Sequence, residues 1–199
     1  MEGQQISLPS GVWAIGSNIG GGSFGQVFDA TCGTEISVIK FVRKAPGADR
    51  ELLFRNPEGA PNVVPVKETG EHGDYWLIRM PKATKSLRAR LSAGPVDLDE
   101  AVGIVTDLAN ALVVLAAMDK PVVHRDLKPE NVLLLDGAWC LADFGISRYA
   151  EAGTATNTRK SSITPPYAAP EQWRGERATS ATDVYALGVL AYEILSGAR

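Results

Sequence analysis

Four short stretches carry residue types that could do chemistry together. Gly20-Gly21-Gly22-Ser23-Phe24-Gly25 stands between Ile19 and Val27. Glycines let a backbone approach phosphate oxygens closely and aim amide N–H groups at them; a plain flexible hairpin fits the same residues equally well. A dinucleotide-binding loop would enter a helix after its third glycine, whereas Gln26-Val27-Phe28-Asp29-Ala30 continues as a strand. Lys40 closes the apolar run Ser37-Val38-Ile39-Lys40. It reads either as a solvated strand-end lysine or as a cation for phosphates, held in place by a carboxylate for which Glu51 is the obvious candidate. His124-Arg125-Asp126-Leu127-Lys128-Pro129-Glu130-Asn131 has a proline that forbids an ordinary helix interior, so it is a loop crowded with ionisable groups. A solvated charge run would account for its polarity but not for its order of residue types. Asp143-Phe144-Gly145 follows Asp126 by 17 residues with a hairpin between, which brings two carboxylates and Asn131 to one point. Hard oxygen ligands, few in number, suit a phosphate-bound Mg²⁺.

The elements that must position these residues differ between the two halves. Residues 11–80 are cut by turn signals every few residues, with β-branched or aromatic runs at Val12–Ile19, Gln26–Thr31, Glu35–Val42, Val63–Thr69 and Tyr75–Met80, which predicts a small antiparallel sheet. One helix, Ala48–Arg55, is expected within it, closed by Asn56-Pro57 and Gly59. From residue 86 the pattern turns helical. Ser86–Leu91 forms a short amphipathic segment stopped by Gly94-Pro95, and Asp97 with Glu100 three residues later reads as a capping box. Apolar residues at 101, 104, 105, 108, 112 and 115 predict a long helix to Met118. Val132–Leu135 and Trp139–Ala142 flank Asp136-Gly137, a two-residue hairpin signal. Ala150–Ser162 reads as an exposed mobile loop, and Thr182–Ser196 as a helix apolar nearly all round and therefore buried.

Composition excludes several classes. A chain of 199 residues that is 45% hydrophobic and 22% charged is ordinary for a packed globular protein of one domain or two small lobes, and is not a disordered, collagen-like or disulfide-stapled one. Twenty basic against 23 acidic residues, spread over both halves, leave no footprint for nucleic acid or a membrane surface. Cys32 and Cys140 lie far apart without metal spacing and read as small core residues or free thiols in a reducing compartment. The most apolar stretch, Leu108–Met118, is too short to span a bilayer, and no signal peptide opens the chain. These features predict a cytoplasmic protein or the cytosolic part of a larger one.

Taken in order, the four motifs over residues 10–199 resemble the eukaryotic-type serine/threonine protein kinases, in their bacterial branch, to which Pro170-Glu171-Gln172 and Thr156-Asn157-Thr158 ahead of Thr164 point. The resemblance implies an α+β bilobal fold: a sheet-rich N-lobe over 1–80, a hinge at 81–85, and a mainly helical C-lobe over 86–199. It implies ATP and Mg²⁺ (or Mn²⁺) as cofactors and proteins as substrates. Gly20, Gly22, Ser23, Phe24 and Gly25 would cover the phosphates, and Lys40 would bind them while paired with Glu51. Asp126 would accept the hydroxyl proton, Lys128 would neutralise charge on the transferring group, and Asn131 and Asp143 would hold the metal. Val27, Val38 and Leu133 would wall the adenine pocket, with Met80 near the gatekeeper position. Lys128 and Thr164 favour serine or threonine as acceptor. Arg125 would dock a phosphothreonine at Thr156 or Thr158, with Ser161 and Ser162 as lesser candidates. Asp183 would prop up the catalytic loop, and Glu171 would take an arginine partner.

Three departures qualify the resemblance. Val38 stands where the family usually has alanine, Arg55 where its regulatory stack is apolar, and the chain stops just after the helix that further helices normally cover. The last feature predicts a partly bare apolar helix, in a truncated chain or in one completed by a partner chain or a homodimer. Two other readings share some of the motifs: a non-catalytic kinase-fold scaffold, and a kinase-like enzyme acting on small molecules.

Overall fold

The computed structural model describes residues 1–22, 25–44, 60–119, 121–144, 148–149 and 164–198. Ser23, Phe24 and Gly145 lie outside the described residues, as do the expected helix Ala48–Arg55 with Glu51 and Arg55, and Thr156, Thr158, Ser161 and Ser162. The chain divides into two compact units, Met1–Glu58 with Val64–Lys82, and Gly59–Val63 with Ala83–Arg199.

The first unit is a six-stranded antiparallel sheet of β1 (Gln5–Leu8), β2 (Gly11–Gly22), β3 (Gly25–Cys32), β4 (Glu35–Arg43), β5 (Glu68–His72) and β6 (Tyr75–Pro81), in the order β1-β2-β3-β4-β6-β5. Period-two alternation sends Ile6 and Leu8 of β1 and Phe28 and Ala30 of β3 inward, around Trp13, Ile15, Ile39, Phe41 and Leu77. The edge strands β1 and β5 lie against each other, with the Leu8 side chain over Gly70. A buried cation fastens this closure. Arg79 stacks 4.7 Å over the Trp13 ring and donates to Glu68 (2.5 Å), Glu35 (2.6 Å) and Ser37 (3.1 Å), while Glu68 also accepts from the Ser10 amide and hydroxyl. A charge removed from water needs such partners.

Two sequence expectations are corrected in this unit. Gln5–Leu8 is a strand that the turn pattern did not announce. The run Val63–Thr69 is not one strand: β5 starts only at Glu68, because Pro65 lacks the N–H that a ladder needs, and Val63 instead bridges Leu141 in parallel.

The second unit has β7 (Lys85–Ser86), α1 (Leu87–Ser92), α2 (Leu98–Ala117), β8 (Val122–Val123), the hairpin β9 (Val132–Leu135) and β10 (Ala138–Leu141), β11 (Arg148–Tyr149), α3 (Pro170–Arg174) and α4 (Ser180–Ser196). Asp136 and Gly137 both have positive φ, 48° and 85°, the backbone of a tight two-residue hairpin turn. Asp97 caps α2 through the Glu100 amide (2.8 Å), but the reciprocal half of the expected capping box is absent. The Glu100 carboxylate is taken by Arg90 at 2.6 and 2.8 Å, a bidentate pair that outcompetes a backbone amide.

α2 buries Ala101, Ile104, Leu108, Ala111, Leu112 and Leu115, and packs on α4 and β10. By length and composition alone it is apolar enough to cross a membrane, with a mean hydropathy of 1.7, because the helix extends well beyond the stretch Leu108–Met118. α4 is not buried all round. Its inner face holds Thr182, Asp183, Ala186, Leu190, Glu193 and Ile194, while Val184, Tyr185, Tyr192 and Leu195 are exposed, as expected for a partly bare helix.

Candidate active site

The loop His124–Asn131 runs between β8 and β9, and buried polar contacts hold its shape. Asp183, near the start of α4 and 2% exposed, accepts from the backbone amides of His124 and Arg125, both at 2.8 Å. That clamp fixes Arg125 in a left-handed conformation at φ 73°. Burial pushes the Asp183 carboxyl above its ordinary range, and the two amides pull against that shift. The His124 ring is fully buried. Its Nδ1 accepts from the Asp126 amide (3.2 Å), so Nε2 carries the proton and donates to the Ala142 carbonyl (2.9 Å).

Around the Asp126 carboxylate the side chains converge. Lys128 Nζ lies 2.6 Å from Oδ2, and the Thr164 hydroxyl donates to Oδ1 at 2.6 Å while standing 3.3 Å from that same ammonium. Asn131 Nδ2 donates to the Asp126 carbonyl (2.8 Å) and to Oδ2 (3.1 Å). With its nitrogen committed there, the amide of Asn131 has its oxygen left for another ligand. Ala142 donates to the Asn131 carbonyl (2.8 Å) and accepts from His124, which sets Asp143 directly beyond Asn131, in a left-handed conformation at φ 64°. Phe144 is buried with its ring edge-on to His124, 4.8 Å between centroids. One carboxylate plus one amide oxygen is a donor set that fits a hard divalent ion drawing its other ligands from phosphate and water.

The first unit places its own group of sequence-predicted residues together. The register pairs Val27 with Lys40 and Val38 with Met80, so Val27, Val38, Lys40 and Met80 share one face of the sheet. Lys40 is 5% exposed, which removes the solvated strand-end reading. Gly20, Gly22 and Gly25 lie on the β2–β3 hairpin, with Gly20 opposite Val27 and Gly22 opposite Gly25. Leu133 belongs to the second unit, in register with Ser86 and Cys140.

Two site features escaped sequence reasoning. Glu171 is met by the Thr182 hydroxyl at 2.5 Å, which itself accepts from the Thr179 amide (3.0 Å). And Arg88 of α1 gathers Glu130 (2.8 Å), Glu193 (2.7 Å) and the Tyr167 hydroxyl (2.8 Å), which ties the loop, α4 and the turn after Thr164 into one network. Burial and the Glu193 acceptor push the Tyr167 phenol up to about 12. The signal in the sequence was Glu193, an acid within the apolar run Val184–Leu195. A buried acid is rare unless paired.

Residues 13–199 match the family model of the protein kinase domain. The chain is 32% identical over 202 residues to the serine/threonine-protein kinase PrkC of Bacillus subtilis, covering 94% of this chain and 31% of that one. It is 34% identical over 208 residues to the serine/threonine-protein kinase PknD of Mycobacterium tuberculosis (98% and 31%). To the serine/threonine-protein kinase PkaA of Streptomyces coelicolor it is 36% identical over 169 residues (80% and 29%). It thus spans a little under a third of the length of these relatives.

Proposed function

The chain belongs to the protein kinase domain family, and from that membership we propose that it transfers the γ-phosphoryl group of ATP to serine and threonine hydroxyls of proteins, and to Thr156 or Thr158 of its own loop. The observation that carries this reading is the Thr164 hydroxyl, 2.6 Å from Asp126 Oδ1 and 3.3 Å from Lys128 Nζ. An aliphatic hydroxyl is held there by a base and a cation at once, which is the placement an acceptor serine or threonine needs.

Bound ATP and its Mg²⁺ (or Mn²⁺) supply the phosphoryl group and much of the charge neutralisation. The chain's own residues bind and orient. Asn131 and Asp143 would hold the metal, and Lys40 would take the phosphates, with Glu51 as the partner and Gly20, Gly22, Ser23, Phe24 and Gly25 as the phosphate-binding run that the resemblance implies. By the same resemblance, Val27, Val38 and Met80 of the first unit, and Leu133 of the second, would contact the base. Asp126 directs the acceptor hydroxyl and takes its proton, and Lys128 offsets the negative charge that builds beside it. Arg125 would dock a phosphorylated Thr156 or Thr158, Asp183 holds the His124 and Arg125 amides, and Glu171 accepts from the Thr182 hydroxyl.

Incubation with labelled ATP and Mg²⁺ tests the reading, parent against Asp126→Asn. A general base contributes roughly 10²- to 10⁴-fold, so incorporation by the variant should fall at least about a hundredfold while its unfolding temperature stays near the parent's. Equal incorporation by the two proteins would overturn the role given to Asp126.

A further inference from the structure

We propose that Glu2 is a positioning residue for the glycine run of β2: the first residues of the chain brace the strand that presents Gly20–Gly22, and nucleotide affinity depends on that brace. The inference rests on the nucleotide reading above but concerns residues to which that reading assigns nothing.

β2 does not run evenly into its glycines. It pairs with β3 at Ala14↔Thr31 and Ile15↔Ala30, resumes at Asn18↔Phe28 and again at Gly20↔Val27, with a register shift on each side of Asn18. Such irregularities leave backbone groups without ladder partners and bend the strand. On the opposite edge, the N-terminal segment supplies what β3 does not. Ile15 donates to the Gln4 carbonyl and Gly3 donates to the Ile15 carbonyl, each at 2.9 Å. At the irregular stretch itself the backbone pairing gives way to a side chain, and the Asn18 amide donates to Glu2 Oε1 at 2.8 Å. Asn18 passes the constraint on, its Oδ1 accepting from the Gly20 amide at 3.0 Å. Met1 packs against the core cluster and anchors the segment at its far end.

This relay has a physical purpose at this point. Among the described residues nothing demands glycine at 20, since a Cβ there would meet none of their atoms within 4 Å. A run of glycines is soft, because each residue samples more backbone conformations than any other type. Amides that must meet phosphate oxygens bind well only when they are held in place beforehand. The Glu2–Asn18–Gly20 relay holds the root of the run from the side that β3 does not.

The test uses the full chain and measures ATP·Mg²⁺ binding by displacement of a fluorescent nucleotide. Loss of one hydrogen bond predicts that Glu2→Ala and Asn18→Ala each weaken ATP about three- to tenfold. Glu2→Gln, whose amide oxygen still accepts, should stay within about twofold of the parent. Unfolding temperatures should not separate the Ala and Gln variants at Glu2, which a general structural role would. Parent-like affinity in Glu2→Ala, or equal loss in Glu2→Gln, overturns the proposal. Should the parent itself bind no ATP·Mg²⁺, the nucleotide reading falls on its own, and amide hydrogen exchange decides the brace: faster exchange at Asn18 and Gly20 in Glu2→Ala supports it, unchanged rates refute it.

Discussion

Gly20 and Gly25 sit on facing strands of one hairpin, yet the described residues require a glycine at only one of them. Gly25 has φ 142°, and a Cβ there would lie 2.5 Å from the Phe41 carbonyl oxygen and 3.4 Å from Lys40 Cε. The obstacle is the backbone of the central strand β4, with Phe41 itself 1% exposed, so it cannot swing aside. Gly25→Ala must therefore push β3 off β4 at the Gln26↔Phe41 pair or accept a strained backbone. Strained φ costs roughly 1–3 kcal/mol and an overfilled core about as much again. At about 2–4 °C per kcal/mol for a chain this long, the unfolding temperature should drop on the order of 10 °C. Gly20→Ala meets no atom within 4 Å, so its stability should stay within about 0.5 kcal/mol of the parent. If Gly20 lies against phosphates, however, the added methyl occupies their space, and ATP·Mg²⁺ affinity should fall on the order of tenfold, about 1.4 kcal/mol. Thermal unfolding by circular dichroism and nucleotide titration by calorimetry read the two quantities separately. A Gly25→Ala protein as stable as the parent would refute the packing argument. A Gly20→Ala protein that binds ATP like the parent would refute the placement of the glycine run on the nucleotide.

Asp183→Ala removes the acceptor of two amides, one buried and one partly buried, each left unsatisfied at roughly 1–3 kcal/mol, so it should destabilise the chain by about 2–6 kcal/mol; a urea-unfolding midpoint unchanged from the parent would contradict the clamp. Tyr167→Phe should alter stability at high pH. A phenol moved from its ordinary 10.0 to about 12 contributes stability that is complete below pH 10 and lost as the pH rises towards about 12. Subtracting the variant's stability curve from the parent's should expose a decline confined to that window, and parallel curves would show that the phenol is not held as described.

Much of the site was legible because its residues are close in sequence or stand at element ends. Asp126, Lys128 and Asn131 fall within six residues, and Pro129 forces the loop that presents them. The hairpin was legible from Asp136-Gly137, since few residue pairs accept two successive positive φ values. β1 was not, because four residues with two inward side chains make no periodic signal until β2 exists to pair with them. The apolar character of α4 overstated its burial, because hydropathy records what a side chain would prefer and not whether a neighbour covers it; Tyr192 and Leu195 are exposed regardless. Glu100 fitted the capping box in sequence and was diverted in the fold by Arg90, a competitor ten residues upstream that spacing rules ignore.

What holds the backbone of the candidate site was legible only at Asp183, which the resemblance made a prop of the loop. Arg125 and Asp143 both adopt left-handed conformations without being glycine, at a cost of roughly 1–3 kcal/mol each. Such strain persists only where surrounding bonds over-determine it. At Arg125 those bonds come from Asp183, at the successive amides of His124 and Arg125, and from Gln172, whose side chain donates to the Arg125 carbonyl at 2.9 Å. At Asp143 they come one residue earlier, where Ala142 is tied through its amide to Asn131 and through its carbonyl to His124. The residues recognisable as chemistry and the residues that make their geometry affordable are therefore different sets. The first is concentrated in a loop and a hairpin end, and the second reaches from 172 and 183 back to 124 through buried polar atoms. A substitution at Asp183 or Gln172 should accordingly disturb the candidate site without altering Asp126, Lys128, Asn131 or Asp143, and Gln172→Ala, which removes a single partly buried hydrogen bond of about 1 kcal/mol, is the gentler probe of that separation.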